Sequence, residues 1–459
     1  MKSMSRSERI KYGIVVILVL ACFLIPTTEV FTMQAKMFMA VTVFGLAISA
    51  FELLPMTFVA MVMPALWAIL GVADVKTIMS PWTSSTMLML LGVYFMSATL
   101  DDSGLLKRVA YRLMCVAKSN YLALLTMVFL VSVFINLITS GTSHLVMAPL
   151  VAGLFKSLNG DDKKLGAGLG ATVLLGGCTS HCYTYFSTMV PVVAAQCGEY
   201  LDPSAAAPLK TIIYNIPQFF ISIVVLLAIY KMFKPEGSLG ELSYFKEKLA
   251  ELGPLSQKEK ANGVMLAIVL VLVFTADLHK LDINLIFALI PWIVYLPFFR
   301  GADAGTLKKF NISMVLVCGT FMAIGNVATA LGLGAALAAA CQTILAGHTN
   351  IFLVMFLILV VVFVLNKLMT PMAITALFMK PVAMLATQLG YSATPFFYAM
   401  MIFPEFIIFP YEYVPYLVVF GYGMMSMKDF IKFNSVRCLI MLVGFFVLQI
   451  PFWMLVGLI

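Results

Sequence analysis

Charge is what this sequence has least of. Only 11% of its 459 residues are Asp, Glu, Lys or Arg, where a soluble domain carries about a quarter. With 62% of the chain hydrophobic, that shortage excludes an ordinary soluble protein. The apolar residues come in blocks of roughly 20, the length of a membrane-crossing helix, and not in the short alternating segments of an outer-membrane barrel. Paired cysteines are also missing: the eight present sit mostly inside apolar runs, so no disulfide framework is expected. No small-residue cleavage site follows the basic stretch Met1–Lys11, and the first apolar run therefore reads as an uncleaved helix. No nucleophile stands beside a base, which argues against an enzyme, and no appended soluble region supports a sensor. The net charge of +8 concerns loop orientation and implies no nucleic-acid partner.

What is present is a polytopic all-α membrane protein. Apolar spans are expected near 12–31, 34–53, 55–73 and 84–101. Leu105–Lys118 then alternates Lys107, Arg108 and Arg112 with apolar residues at helical spacing, the pattern of a helix lying on the membrane face in contact with lipid. Residues 121–154 are apolar but interrupted near Thr139–Thr142, the signature of two half-length helices meeting at a polar tip, a re-entrant hairpin. Spans near 167–197 and 209–233 follow. The hydrophilic stretch 231–261 reads as a solvated, partly helical linker. Beyond it come spans near 263–278, 282–299 and 311–332, a second interrupted unit at 350–387, and spans near 394–423 and 430–458. About eleven full spans result. With the N-terminus in the cytoplasm, the clusters Lys107–Arg112, Lys156–Lys164, Lys231–Lys260, Arg300–Lys309 and Lys428–Lys432 all fall inside, and the C-terminus falls outside.

Landmarks before the linker recur after it in the same order. Met87–Gly92 matches Met314–Gly319 (314 − 87 = 227), Gly104-Leu105 matches Gly332-Leu333, Pro149 matches Pro381, and Val190-Pro191 matches Val414-Pro415. The expected organisation is an inverted repeat: 1–230 with hairpin 121–154 and broken helix 167–197, the linker 231–261, and 262–459 with hairpin 350–387 and broken helix 394–423. Such repeats with broken helices are the architecture of secondary transporters, whose substrate sits between the repeats.

The stretch Phe409–Pro415 carries the strongest single signal. Two prolines interrupt an apolar run and break any helix crossing there, and Glu412 is costly at membrane depth unless it is paired or functional. Three roles are open to Glu412: proton carrier, cation ligand, or permanent partner of Lys367; Lys367 itself reads as a partner for an anionic substrate, a fixed replacement for a sodium ion, or a side chain snorkelling to water. Glu405 stands one to two turns earlier. Cys178-Thr-Ser-His181-Cys182 lacks a second ligand pair and reads as polar lining by Thr179, Ser180 and His181, not as a metal site.

These residues resemble the divalent anion/sodium symporter family, the dicarboxylate and citrate carriers, across nearly the whole chain. The resemblance rests on span order, both interrupted units, the segment after Gly104-Leu105, and the closing Val419-Phe420-Gly421-Tyr422-Gly423. It implies a homodimer of elevator type, with substrate carboxylates and Na+ held at both hairpin tips and both helix breaks. Carried over position by position, the first tip is Thr139-Ser140-Gly141 with Thr142 and Ser143, and the second is Pro371-Met372-Ala373, preceded by Thr370. The breaks lie at Thr188 and at Tyr413-Val414-Pro415. Family members carry Ser-Asn-Thr tips, which this chain lacks. The expectation is a carrier of small organic anions in the inner membrane, with Na+ or H+ coupling or exchange. A cation/proton antiporter or an oxyanion carrier is the alternative. Lys380 and His144 read as a snorkelling and a packing residue.

Overall fold

The computed structural model describes residues 6–28, 31–51, 53–115, 120–138, 141, 143–159, 162–184, 189–235, 243–279, 281–310, 312–333, 350–367 and 370–459; these fold into helices and turns without a strand. Among them, Met427–Leu455 is long and apolar enough to cross a membrane by itself. Two bent pairs, Val75–Thr83 with Ser85–Ser103 and Pro208–Tyr214 with Ile216–Met232, would each cross as one broken span, bent by 47° and 52°. Most other apolar helices have 10–17 residues, because glycines and prolines cut the hydrophobic runs into pieces. The first run ends as a helix at Leu24, seven residues short of the expected 31.

Two interrupted units stand where the apolar runs break. The first is a helix pair, Tyr121–Ile138 and Ser143–Asn159, and the second is Ile351–Leu365 and Pro371–Gln388. Each is followed by a broken helix: Lys163–Gly177 with Met189–Cys197, and Ala393–Ile402 with Val414–Gly421. The leading halves form the centre of the molecule. Leu165 to Gly177 is buried throughout, and so is Ala393 to Ile402.

The trailing halves cross over. Met189–Cys197 packs on Pro371–Gln388 and on Ala393–Ile402, while Val414–Gly421 packs on Ser143–Asn159 and on Lys163–Gly177. Each helix that resumes after a break is therefore seated against the units of the other half of the chain. A second hydrophobic cluster, with Phe38, Met63 and Trp67, gathers the N-terminal helices Met33–Ala50 and Met56–Ile69 around Ile312–Ala330. Met372 and Leu377 of the second unit pack against that cluster.

Two expectations, about the helix after Gly104 and about the linker, are corrected. The amphipathic helix Leu105–Met114 does not turn Arg108 toward lipid headgroups. Arg108 is buried, its Nε on Glu259 Oε1 at 2.5 Å and its Nη groups on the carbonyls of Leu252, Gly253 and Pro254. The linker is accordingly docked and not merely solvated: its helix Tyr244–Glu251 buries Phe245, whose ring lies tilted against Tyr111 with centroids 6.3 Å apart. An isolated guanidinium is too costly to bury, so the carboxylate and three carbonyls are what allow this geometry. Nearby, Asp102 takes Lys258 at 3.0 Å, Lys309 at 2.5 Å and the Thr306 hydroxyl at 2.6 Å. Burial opposes ionisation of Asp102, but those hydrogen bonds outweigh it and hold the carboxyl well below the usual carboxylate range.

Candidate functional site

The first break opens at the C-terminus of Lys163–Gly177, where the last carbonyls of a helix have no partner of their own. Asn136, two residues before the end of Tyr121–Ile138, supplies one. Its Nδ2 donates to the carbonyls of Gly176 at 3.3 Å and Gly177 at 3.1 Å and to Ser180 Oγ at 2.7 Å. Its Oδ1 accepts from the Ser143 amide at 3.0 Å, so one fully buried amide ties both arms of the first pair to the break. The approach needs glycine on the facing helix. A Cβ at Gly176 would lie 2.7 Å from Ser132 Cβ, and one at Gly177 would lie 3.2 Å from the His144 backbone. His144 thus packs at the start of the return helix, as expected.

The second break repeats this with a different cast. Asn366, at the end of Ile351–Leu365, donates from Nδ2 to the Pro404 carbonyl at 3.0 Å. Between Ile402 and Val414 the chain makes two short 3-10 turns, Phe403–Glu405 and Pro410–Glu412. Proline stands in the first turn of each, where its missing donor costs nothing. Glu412 folds back on the second turn. Its Oε1 accepts from the Phe409 amide at 2.9 Å, both carboxylate oxygens accept longer bonds from Ile408, and Oε2 takes Lys367 Nζ at 2.7 Å. The Glu412 side chain is wholly buried and that of Lys367 is 25% exposed, with Nζ 4.4 Å from the Phe363 ring centroid. Glu412 and Lys367, both expected as coupling residues, are thus paired with each other in this structure.

Arg437 joins the two breaks. It stands in Met427–Gly444, fully buried. Its Nη1 donates to Tyr416 Oη at 2.7 Å and Thr179 Oγ1 at 2.9 Å, and Nη2 donates to the carbonyls of Glu405 at 2.7 Å and Ile407 at 3.2 Å. Tyr416 Oη donates onward to Glu405 Oε2 at 2.8 Å, and the hydroxyls of Thr179 and Tyr416 lie 3.1 Å apart. Thr179 belongs to the first break and Tyr416 to the helix resuming after the second, so this contact bridges the halves of the chain.

The expected site residues fall unevenly. Gly141, in the left-handed region at φ 82°, and Ser143 lie at the first tip. Thr370 accepts the Ile374 amide as the second return helix starts, and Met372 meets Cys318 Sγ at 3.7 Å. Tyr413, Val414 and Pro415 open the helix after the second break; Tyr413 packs on Tyr416 with ring centroids 6.0 Å apart, and Val414 is 53% exposed. Thr139, Ser140, Thr142, Thr188 and the His181 side chain lie outside the described residues. Cys182 donates to the Met401 carbonyl at 3.5 Å, and no group of three potential metal ligands gathers among the described residues. Sequence reasoning passed over Asn136, Asn366 and Arg437. The two asparagines are 230 residues apart (366 − 136), between the displacements of Val190-Pro191 (414 − 190 = 224) and Pro149 (381 − 149 = 232), which was the available signal.

The family described as the sodium:sulfate symporter transmembrane region matches residues 6–459. This chain belongs to that family. It is a multi-pass membrane protein of an anion-transporter family, as the sodium:sulfate symporter match and its helical architecture together require. Among solved structures, the fold is similar to that of the Alcanivorax borkumensis YdaH transporter, with a TM-score of 0.55 at 17% identity, covering 83% of this chain and 86% of that one. The search of curated proteins returned no match. For a member of the sodium:sulfate symporter family, the capped break carbonyls are the notable feature: protein donors occupy oxygens that a broken helix leaves open to a cation.

Proposed function

We propose that this protein is a secondary active transporter that carries a small carboxylated dianion, a C4-dicarboxylate in first place, through the crossing of its two broken helices. The observation that carries this reading is the reciprocal packing of Met189–Cys197 and Val414–Gly421 on the opposite half of the chain. Each is the start of a new helix, which presents about half a positive charge; the amides before Pro191 and Pro415 have no intrahelical acceptor, while the prolines themselves have no N–H to give. Two such starts suit two carboxylates. The hydroxyls of Thr139, Ser140, Thr142, Ser143 and Thr188 supply further donors. Lys367 is engaged with Glu412, so on this reading it shapes the break and leaves substrate charge to backbone amides.

The inverted orientation of the repeats, the elevator movement and the homodimer belong to this proposal, with resemblance as their support. So do the inner-membrane location and the cytoplasmic N-terminus. Coupling by Na+ agrees with the family's description, with H+ coupling and anion exchange as the competing modes. That description also names sulfate, which makes an inorganic dianion the second reading.

The test is uptake of labelled succinate, citrate and sulfate by proteoliposomes under Na+ and H+ gradients imposed separately. Concentrative uptake or exchange of succinate, competed by citrate, is expected. Sulfate uptake without organic-acid uptake would select the second reading, and transport of none of the three would overturn the assignment.

A further inference from the structure

Arg437 sits at the one place in the second break where an oxygen shell for a cation has been assembled. Around its guanidinium are the carbonyls of Glu405 and Ile407, the hydroxyls of Thr179 and Tyr416, and Glu405 Oε2 at 3.8 Å. The Tyr416 ring centroid lies 5.2 Å from Cζ and closes one side. Carbonyls released by an unwound helix, with hydroxyl and carboxylate oxygens, are the donor set with which a broken transporter helix holds an alkali cation. Here that set is satisfied by a planar cation whose forked donors reach several acceptors at once and which does not lose its proton. The shell spans both halves of the chain and is buried throughout.

We infer that Arg437 is the resident cation of the second break, standing in the oxygen shell where a coupling cation would otherwise bind, so that no Na+ is taken up at that break. Resting on the transport reading above, this leaves at most the first break, where Asn136 already caps the Gly176 and Gly177 carbonyls, to couple Na+ to the anion. It gives the protein an ion stoichiometry lower by one than a carrier with both breaks open. Asn366 on the Pro404 carbonyl extends the same capping. Glu412 lies outside the shell, its carboxylate turned to Lys367 and to the backbone amides of its own turn.

The experiment counts bound 22Na+ per protomer in detergent, which needs no transport and separates failure of this inference from failure of the anion assignment. The wild type is expected to bind at most one Na+ at saturation, and two or more would overturn the inference. Arg437→Met, which leaves the carbonyls and hydroxyls in place, is expected to bind one Na+ more than the wild type. Arg437→Lys, which keeps the charge, is expected to match the wild type. An Arg437→Met variant that folds and binds no additional Na+ would refute the resident-cation role. If that variant does not fold, the wild-type count decides by itself.

Discussion

Replacing Lys367 by Met separates a structural Glu412 from a coupling one. The variant leaves a wholly buried carboxylate with its amide donors from Ile408 and Phe409 but without its counter-charge. Breaking a buried ion pair costs roughly 3–5 kcal/mol. The Lys367 side chain is a quarter exposed and the amides remain, so the expected loss falls to about 2 kcal/mol, since solvent screens part of the attraction. Glu412→Gln is expected to lose a similar amount, because the lysine then faces an amide. The double variant Lys367→Met/Glu412→Gln should lose less than the sum, with a coupling of about 1–2 kcal/mol measured by denaturant unfolding in micelles. Additivity within about 0.5 kcal/mol would show that the contact stabilises nothing. Folded Glu412→Gln should also keep the pH dependence of uptake. A variant of full stability whose uptake had lost that dependence would refute the structural role and return Glu412 to the coupling machinery.

Other consequences follow from the same buried contacts. Asn136→Leu leaves the Gly177 carbonyl without its side-chain donor and the Ser143 amide without its acceptor, at about 1–3 kcal/mol for each group stranded away from water; the Gly176 carbonyl keeps the Ser180 hydroxyl. Uptake should fall with stability, and Asn136→Asp should not restore it, because a carboxylate cannot donate to carbonyls. Arg108→Ala strands the buried Glu259 and releases the carbonyls of Leu252, Gly253 and Pro254. Faster proteolytic cleavage between residues 251 and 257 is expected, with unchanged cleavage counting against the docked linker. Asp102→Asn should lower the melting temperature equally at pH 8 and pH 5.5. A depressed carboxyl contributes fully above its unfolded value near 3.9 and loses that contribution only as pH falls below it. Lys258 and Lys309, raised chiefly by hydrogen bonds to Asp303 and Asp102, lose theirs only above about pH 10.4. The gap between variant and wild type should therefore narrow below about pH 4 and stay constant through neutrality.

The second break was legible because proline acts locally: Pro410 and Pro415 each stand in the first turn of a new segment, where the missing donor costs nothing, whereas Pro149 and Pro381 are carried inside helices. Glycine and charge were less transparent. Gly176 and Gly177 are small because Ser132 and His144 approach them, which no local pattern announces. Arg437 follows Lys428, Asp429 and Lys432 in the same helix, so one more charge there does not stand out, and its partners lie on Thr179, Glu405, Ile407 and Tyr416. Arg108 misled for the related reason that an amphipathic pattern reports a polar face without saying what covers it. A linker carbonyl cluster, distant in sequence, took the place of lipid headgroups. Glu412 was recognised as expensive, but composition could not choose among three ways of compensating it, and the choice rests on where Lys367 comes to lie.

Substrate protection of single cysteines tests the transport path most directly. Val414→Cys, at the exposed start of the helix after the second break, and Ser140→Cys at the first tip would each be labelled with a maleimide in proteoliposomes, against wild type as the background. Succinate is expected to slow labelling at both positions at the concentrations that saturate uptake. Labelling at both positions unaffected by succinate, in vesicles that still take it up, would contradict a path through the crossing of the broken helices.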